Sequence, residues 1–583
     1  MRETSTHGDN NNNNDNNNDG YVYDLGTYHR RVSTASELSQ RWFDRGLVWA
    51  YAFNHEESAA CFERAISADA GCAMAYWGLA YSVGPNYNKQ WSSFDGADLA
   101  GAVARGHGAA RLALANAAGA SAAERALIRA LQFRYPQARP AGDCGAWNRG
   151  FADAMAGVHA EFPDDLDVAA VYADALMNLA PWKLWDLRTG EPTTGAPTLR
   201  VKAVVDGALA RLDGALRHPG LLHVYIHLME MSPAPEAALP VADRLRGLVP
   251  DAGHLNHMPS HLDVLCGRYA QAMAANAQAI AADEKFLASA GAVNFYTLYR
   301  AHDYHFRVYA AMFAGRSRAA LDTVARLEAS IPESLLRVES PPMADWVEAF
   351  LTLRAHVLVR FGRWDDILGL DLPEDQDLYS TMTAMLHYAK GVAFAATGRV
   401  QAAQEQQGLF RRAVQRVQPS RTLFNNTCGD ILAIAESMLA GEVEYRRGSV
   451  AAAFRHLGEA MDREDNLPYD EPWGWMQPTR HAYGALLLEQ GRVGEALDVY
   501  RADLGVSDAL PRALQHRGNV WALHGAHECL RRLGRRADEV DAAGALLAAA
   551  AAEADVPITA SCFCRLETEE TRCGSGTGSG CNE

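Results

Sequence analysis

Several kinds of segment are missing from this 583-residue chain, and each absence excludes a class of protein. No stretch reaches 18 consecutive apolar residues, so the sequence predicts no transmembrane helix. No block of Lys and Arg occurs, and 71 acidic residues against 54 basic ones give a formal charge of −17. Such a chain lacks the positive surface that nucleic acids and anionic membranes require. We therefore expect neither nucleic acid nor membrane as a partner.

Several catalytic signatures are missing as well. The sequence contains no glycine-rich phosphate loop, no Gly-x-Ser-x-Gly elbow and no dinucleotide-binding fingerprint, which argues against nucleotide-driven and serine-hydrolase chemistry. The first residues carry no apolar segment typical of a secretory signal, so we expect a cytoplasmic protein. Nothing in the sequence indicates an oligomeric state.

Helical periodicity dominates the chain between two low-complexity ends. We expect the Asn/Asp-rich residues 1–20 to be disordered and the Cys/Gly/Ser-rich residues 556–583 to form a flexible tail. Between them, Ala and Leu predominate and apolar residues recur at intervals of three and four. The pattern predicts an all-α chain.

A repeat of small and aromatic residues is visible at the period of the tetratricopeptide unit. Small residues allow the two helices of a unit to approach closely, while aromatic residues fill the gap to the next unit. The sequence therefore predicts a superhelix of helix-turn-helix repeats, with N-terminal repeats in 21–200, a His-rich section in 201–330 and C-terminal repeats in 331–555. The clearest tandem is Gly441, Gly448, Ala453, Leu457 and Ala460, followed by Gly484, Gly491, Ala496 and Tyr500.

The candidate site lies in the His-rich section, which holds eight of the 20 histidines. His223 and His227 are four residues apart, and Glu230 follows three residues later. This spacing places all three on one side of a helix, where two imidazoles can act as a chelating pair. The intervening residues are apolar, so the helix should be buried, and each buried polar group then needs a partner.

Two further histidine pairs have helical spacing. His257 and His261 are four apart, and Pro259 between them places His257 at or just before a helix start. His302 and His305 are three apart. We expect these pairs to converge with the first one on a metal site, with His254 as a possible replacement for His257.

The predicted cofactor is a transition metal ion, because all-imidazole ligand sets suit Cu, Fe or Zn. A three-His zinc site, two trios of histidine holding two copper ions, and a mixed His/carboxylate iron site all remain open. Glu230 is the candidate catalytic residue, either as a general base or as the acceptor that orients the imidazoles. Asp263 and Asp303 are further candidate acceptors.

The His-bearing motifs resemble those of a group of tetratricopeptide-domain proteins found in bacteria and some eukaryotes. The resemblance covers roughly residues 30–540 and implies the repeat fold without implying an activity. The motifs that carry it begin at Arg41-Trp42, Cys72-Ala73, Pro181-Trp182, His223-Val224, Gly253-His254, His302-Asp303 and Pro472-Trp473.

Two functions are compatible with these patterns. The first is a metal-dependent oxidoreductase or hydrolase that acts on a small molecule. The alternative is a non-catalytic scaffold whose concave face binds a peptide or protein partner, as tetratricopeptide arrays commonly do.

Overall fold

The computed structural model describes residues 20–565, and that part of the chain is helical almost throughout. Residues 1–19 of the segment expected to be disordered lie outside the described part. The helices of the N-terminal third are α1 Glu37–Tyr51, α2 His55–Ala68, α3 Ala73–Ser82, α4 Gly96–Ala115, α5 Ala122–Leu131, α6 Gly145–Glu161, α7 Leu166–Met177 and α8 Thr198–Arg211.

The central helices are mostly short. They are α9 Pro219–Glu230, α10 Leu239–Leu245, α11 Gly253–His257, α12 Pro259–Leu265, α13 Tyr269–Ala290, α14 Thr297–Phe313, α15 Ser317–Ala329, α16 Glu333–Leu336, α17 Met343–Val347, α18 Leu353–Arg360 and α19 Trp364–Leu368. Short 3₁₀ turns at Trp91–Ser93, Ala117–Gly119, Ala215–Arg217, Pro235–Ala238, Glu348–Thr352 and Arg512–Leu514 connect helices along the chain.

The C-terminal third returns to long helices. They are α20 Ser380–Ala396, α21 Val400–Val414, α22 Cys428–Arg446, α23 Val450–Asp465, α24 Thr479–Glu489, α25 Val493–Asp503, α26 Val520–Arg532 and α27 Ala537–Ala551. The only β-structure among the described residues, apart from an isolated bridge, is the antiparallel ribbon of β1 Thr422–Leu423 and β2 Asn426–Thr427.

Consecutive helices pack as hairpins, among them α1 with α2, α20 with α21 and α22 with α23. The predicted tandem occupies α22 to α25, and its small residues lie at helix contacts. A Cβ on Gly441 would lie 2.6 Å from Leu457, and one on Gly484 would lie 2.5 Å from the ring of Tyr500. Gly448, with φ of 85°, forms the turn between α22 and α23. The prediction of an all-α superhelix of tetratricopeptide-like helix pairs is confirmed.

The beginning of the segment expected to be a flexible tail is packed against the C-terminal helices. Ser561 is buried, and its hydroxyl lies 2.5 Å from that of Tyr500. Arg565 pairs with Glu528, and Cys564 is joined to Cys562 by a disulfide. Residues 556–565 are therefore ordered by contacts that the Gly/Ser composition of the following residues does not indicate, and 566–583 lie outside the described part.

Candidate metal centre

Helix α9 brings the first histidine pair and Glu230 into the interior. The helix begins at Pro219 after His218, whose side chain accepts a hydrogen bond from the Leu221 N–H as an N-cap. Every residue of α9 is buried. His218 itself contacts Asp167 and Tyr28 and takes no part in the candidate centre.

A first trio of imidazoles consists of His223, His227 and His254, whose candidate ligand atoms lie within 4.8 Å of one another. His223 donates from Nδ1 to the Tyr51 carbonyl oxygen at 2.6 Å. Its Nε2, the Nε2 of His227 and both ring nitrogens of His254 are buried and have no hydrogen-bond partner. Buried nitrogens without a partner are costly, and a shared cation would satisfy them.

A second trio consists of His257, His261 and His302. The Nε2 atoms of His257 and His261 lie 2.6 Å apart, and those of His257 and His302 lie 3.0 Å apart. Two nitrogens that each coordinate one ion at about 2.0–2.1 Å are separated by about 3 Å, so this spacing is close to that of a chelate. Helix α12 begins at Pro259, so His257 lies just before a helix start as the sequence predicts, and it also ends the short helix α11, which the sequence does not predict.

Glu230 lies between the two trios. One carboxylate oxygen is 3.1 Å from Nδ1 of His227, and the other forms a shorter contact with Nδ1 of His261. Burial, with smaller effects from Glu471 and Asp470, raises the pKa of Glu230 well above its usual value. Both oxygens are therefore engaged in holding imidazole rings, one in each trio.

Burial lowers the pKa of every imidazole in both trios. The pKa of His223 falls to about 4 and that of His257 to about 3, although each ring is hydrogen-bonded. Burial lowers the pKa of the other four rings well below the usual range, and neighbouring imidazoles reinforce the effect. All six are therefore neutral at physiological pH, which is the form that coordinates a metal ion.

Five of the six predicted ligands come together, and His305 does not. The Nε2 of His305 lies 2.8 Å from Met476 Sδ, and its ring packs against Phe350. His254 takes the sixth position, in addition to His257 rather than in place of it. Of the predicted acceptors, Asp303 lies 3.4 Å from Nδ1 of His257, whereas Asp263 pairs with arginines outside the centre.

Two acceptors that hold the rings were missed by the sequence analysis. They are the Tyr51 carbonyl, which is on α1, and Asn276 on α13, whose Oδ1 lies 2.8 Å from Nδ1 of His257. A backbone carbonyl and a single amide carry no sequence signal that would mark them.

A cavity of about 280 Å³ opens onto the second trio, because His261 and His302 are part of its wall. Aromatic side chains supply much of the remaining wall, and Asp470 and Glu471 form an acidic corner. The trio is thus accessible to a small molecule.

Three strained residues surround the two trios. In residues 20–565 the non-glycine residues with left-handed backbone are Phe53, Trp182 and Phe424, with φ of 55°, 57° and 49°. The rings of Phe53 and Trp182 lie 4.4 and 5.6 Å from imidazoles of the first trio, and that of Phe424 lies 4.8 Å from the second. Such strain costs roughly 1–3 kcal/mol per residue and is typical of functional sites.

No protein-family model and no curated protein matches this chain. Among solved structures, it is similar to yeast Tom70, with a TM-score of 0.27 and 9% identity over 87% of this chain and 98% of that one. It is also similar to a chain of Naa15/Naa10 bound to HypK, with a TM-score of 0.22 and 12% identity over 89% and 74%. At these TM-scores neither similarity carries an argument about function. No helix in the described part has the length and apolarity to cross a membrane.

Proposed function

We propose that this chain is a metal-dependent enzyme that acts on a small molecule, with a transition metal centre held by the two histidine trios. One observation supports this most directly. In the second trio, His257 and His261 are held through Nδ1 by Asn276 and Glu230, and their Nε2 atoms converge with that of His302. Anchoring of one ring nitrogen by an acceptor while the other faces the ion is typical of metal-ligating histidine.

The donor set fits Cu, Fe or Zn, the ions for which imidazole is a good ligand. The first trio would hold an ion through the Nε2 atoms of His223 and His227 and a ring nitrogen of His254, which have no other partner. Glu230 would orient one ring of each trio, which is the acceptor role expected from the sequence. When bound, such an ion supplies Lewis-acid polarisation or electron transfer to a molecule beside it.

The cavity favours a catalytic centre over a purely structural one. Structural metal sites are closed, whereas catalytic sites keep a position open to substrate. His261 and His302 line the cavity, while the first trio is enclosed by Phe53, Tyr87 and Trp182. The second trio would therefore face the substrate, and the first trio would be shielded from solvent.

Metal content tests this proposal. Purified full-length protein, reconstituted in turn with Cu, Fe and Zn, should retain at least one ion per chain by elemental analysis. His227→Ala and His261→Ala should lower that content, whereas His456→Ala, on the outer surface of α23, should not. Circular dichroism of each variant verifies that the fold is retained. Absence of a stoichiometric ion in folded wild-type protein after all three reconstitutions would refute the proposal.

The repeat architecture favours a second candidate function, a scaffold that binds a peptide or protein. Stacked helix pairs form extended surfaces that repeat proteins use for this purpose. This candidate predicts a partner whose binding survives His227→Ala and His261→Ala, because neither imidazole reaches the outer surface. Binding that is lost with the metal would count against it.

A further inference from the structure

The cavity beside the second trio has an acidic corner, and its lining residues include no Lys or Arg. Asp470 and Glu471 line the cavity and are 2% and 3% exposed. Neither carboxyl forms an ion pair with Lys or Arg among residues 20–565, and the same holds for Glu230 nearby. Burial raises the pKa of both well above the usual value. A positive charge in the cavity would favour the ionised form of these carboxyls and lower their pKa values.

The two carboxyls differ in how well their oxygens are satisfied. Asp470 accepts hydrogen bonds from the backbone N–H groups of Asn425 and Glu471, both at 3.1 Å. Glu471 has a buried oxygen, Oε1, without any hydrogen-bond partner. Unpartnered buried carboxylate oxygens are rare in folded proteins, so Glu471 points to a donor that belongs to the ligand.

Aromatic rings form much of the rest of the wall. A ring face attracts a cation, and cavities that combine several rings with a carboxylate are suited to organic ammonium groups. Neutral apolar ligands would gain from the rings alone but would leave Glu471 unpartnered. The rings that line the cavity are Trp182, Phe295, Tyr299, Trp346 and Phe424.

We propose that this cavity binds a small organic ammonium compound, with its charged nitrogen at Glu471 and Asp470 and its carbon skeleton against the aromatic wall towards His261 and His302. This inference rests on the proposed function only in treating the cavity as the substrate site. The volume of about 280 Å³ admits a compound of the size of an aromatic or short aliphatic amine.

Calorimetric titration of the full-length protein with 2-phenylethylamine tests the inference, using the neutral 2-phenylethanol and the anionic phenylacetate as matched probes. The amine should bind at least tenfold more tightly than the alcohol, and phenylacetate should not bind. Equal affinity for amine and alcohol would overturn the proposal, and this comparison needs no variant.

Substitutions then test whether the Glu471 carboxylate binds the ammonium group. Glu471→Gln should weaken binding of the amine at least tenfold and leave the alcohol unchanged, while Asp508→Asn, at an exposed position, should change neither. Unchanged amine affinity in folded Glu471→Gln would also overturn the proposal, as would displacement of the amine by Mg²⁺ alone, which would mark the corner as an inorganic cation site.

The same titrations with metal-free and metal-loaded protein separate this inference from the proposed function. Preferential binding of the amine by metal-free protein supports the inference even if no ion is retained. A retained ion together with equal binding of amine and alcohol refutes the inference and leaves the metal proposal standing.

Discussion

His257 and His261 point their Nε2 atoms at each other across 2.6 Å of buried space. The amide nitrogen of Asn276 is used by Ser260 and the Ala272 carbonyl, so its oxygen is the acceptor for Nδ1 of His257. His257 therefore carries its proton on Nδ1 and presents a lone pair from Nε2. When Glu230 is ionised, His261 has the same tautomer and the two lone pairs face each other. A cation bound to both Nε2 atoms replaces this repulsion with coordination.

Glu230→Gln should weaken metal binding roughly 10- to 100-fold, because one of the two Nδ1 atoms held by the carboxylate loses its acceptor. The substitution keeps the shape of the side chain but leaves a single acceptor oxygen for the two Nδ1 atoms. Competition titration against a chelator of known affinity measures the loss.

Glu464→Gln is the matched control for that substitution. Glu464 is also buried on a helix, and burial raises its pKa to about 7, but its hydrogen-bond partner is Thr479 and not a member of either trio. Its replacement should leave metal affinity unchanged. Equal affinity in wild-type protein and Glu230→Gln would contradict the role assigned to Glu230.

The histidines show which parts of the candidate site the sequence can predict and which parts depend on tertiary packing. Spacing along one helix places His223, His227 and Glu230 together, and this follows from helix geometry alone. The choice between His254 and His305 depends on which helices pack against each other, and no spacing encodes that. Helix α14 is buried on nearly all sides, and the ring of His305 on this helix packs against Phe350 instead of against a trio. Helix α11 places His254 against His223 in the first trio.

His254→Ala and His305→Ala should therefore differ in metal content. His254→Ala removes a member of the first trio and should release its ion or lower its affinity at least tenfold. His305→Ala should retain the wild-type content and lose only packing, roughly 1–3 kcal/mol of stability. Elemental analysis combined with thermal unfolding measures both effects, and loss of metal from a folded His305→Ala variant would contradict the assignment.

Gly78 on α3 should not tolerate a methyl group. A Cβ there would lie 2.2 Å from the ring of Phe62, where α1, α2 and α3 meet around that side chain. Gly78→Ala should destabilise the protein by about 1–3 kcal/mol through overpacking. Gly101→Ala, inside α4 with nothing within 4 Å, should stabilise it by about 0.5–1 kcal/mol. Denaturant unfolding compares the two, and equal stability would mean that the contact at Phe62 does not constrain the repeat.

The metal-free protein should lose stability as the pH falls below about 6.5, well before ordinary carboxylates titrate. The pKa of His223 is about 4 and those of His257 and His305 are about 3 in the fold, whereas an unfolded chain protonates histidine near 6.5. Below that pH the unfolded state binds protons that the folded state does not bind. Each such imidazole therefore lowers the free energy of unfolding by about 2 kcal/mol at about pH 5. Above about pH 6.5 both states are neutral and the effect vanishes.

Bound metal should protect the protein against this loss, because coordination stabilises the neutral imidazoles of the fold. Thermal unfolding midpoints between about pH 7.5 and about pH 5 should therefore fall steeply without metal and shallowly with it. The difference should become smaller in His261→Ala, which lacks a ligand of the second trio but keeps the first trio intact. Equal slopes with and without metal in the wild-type protein would contradict coordination by these buried rings, since a surface-bound ion leaves their titration untouched.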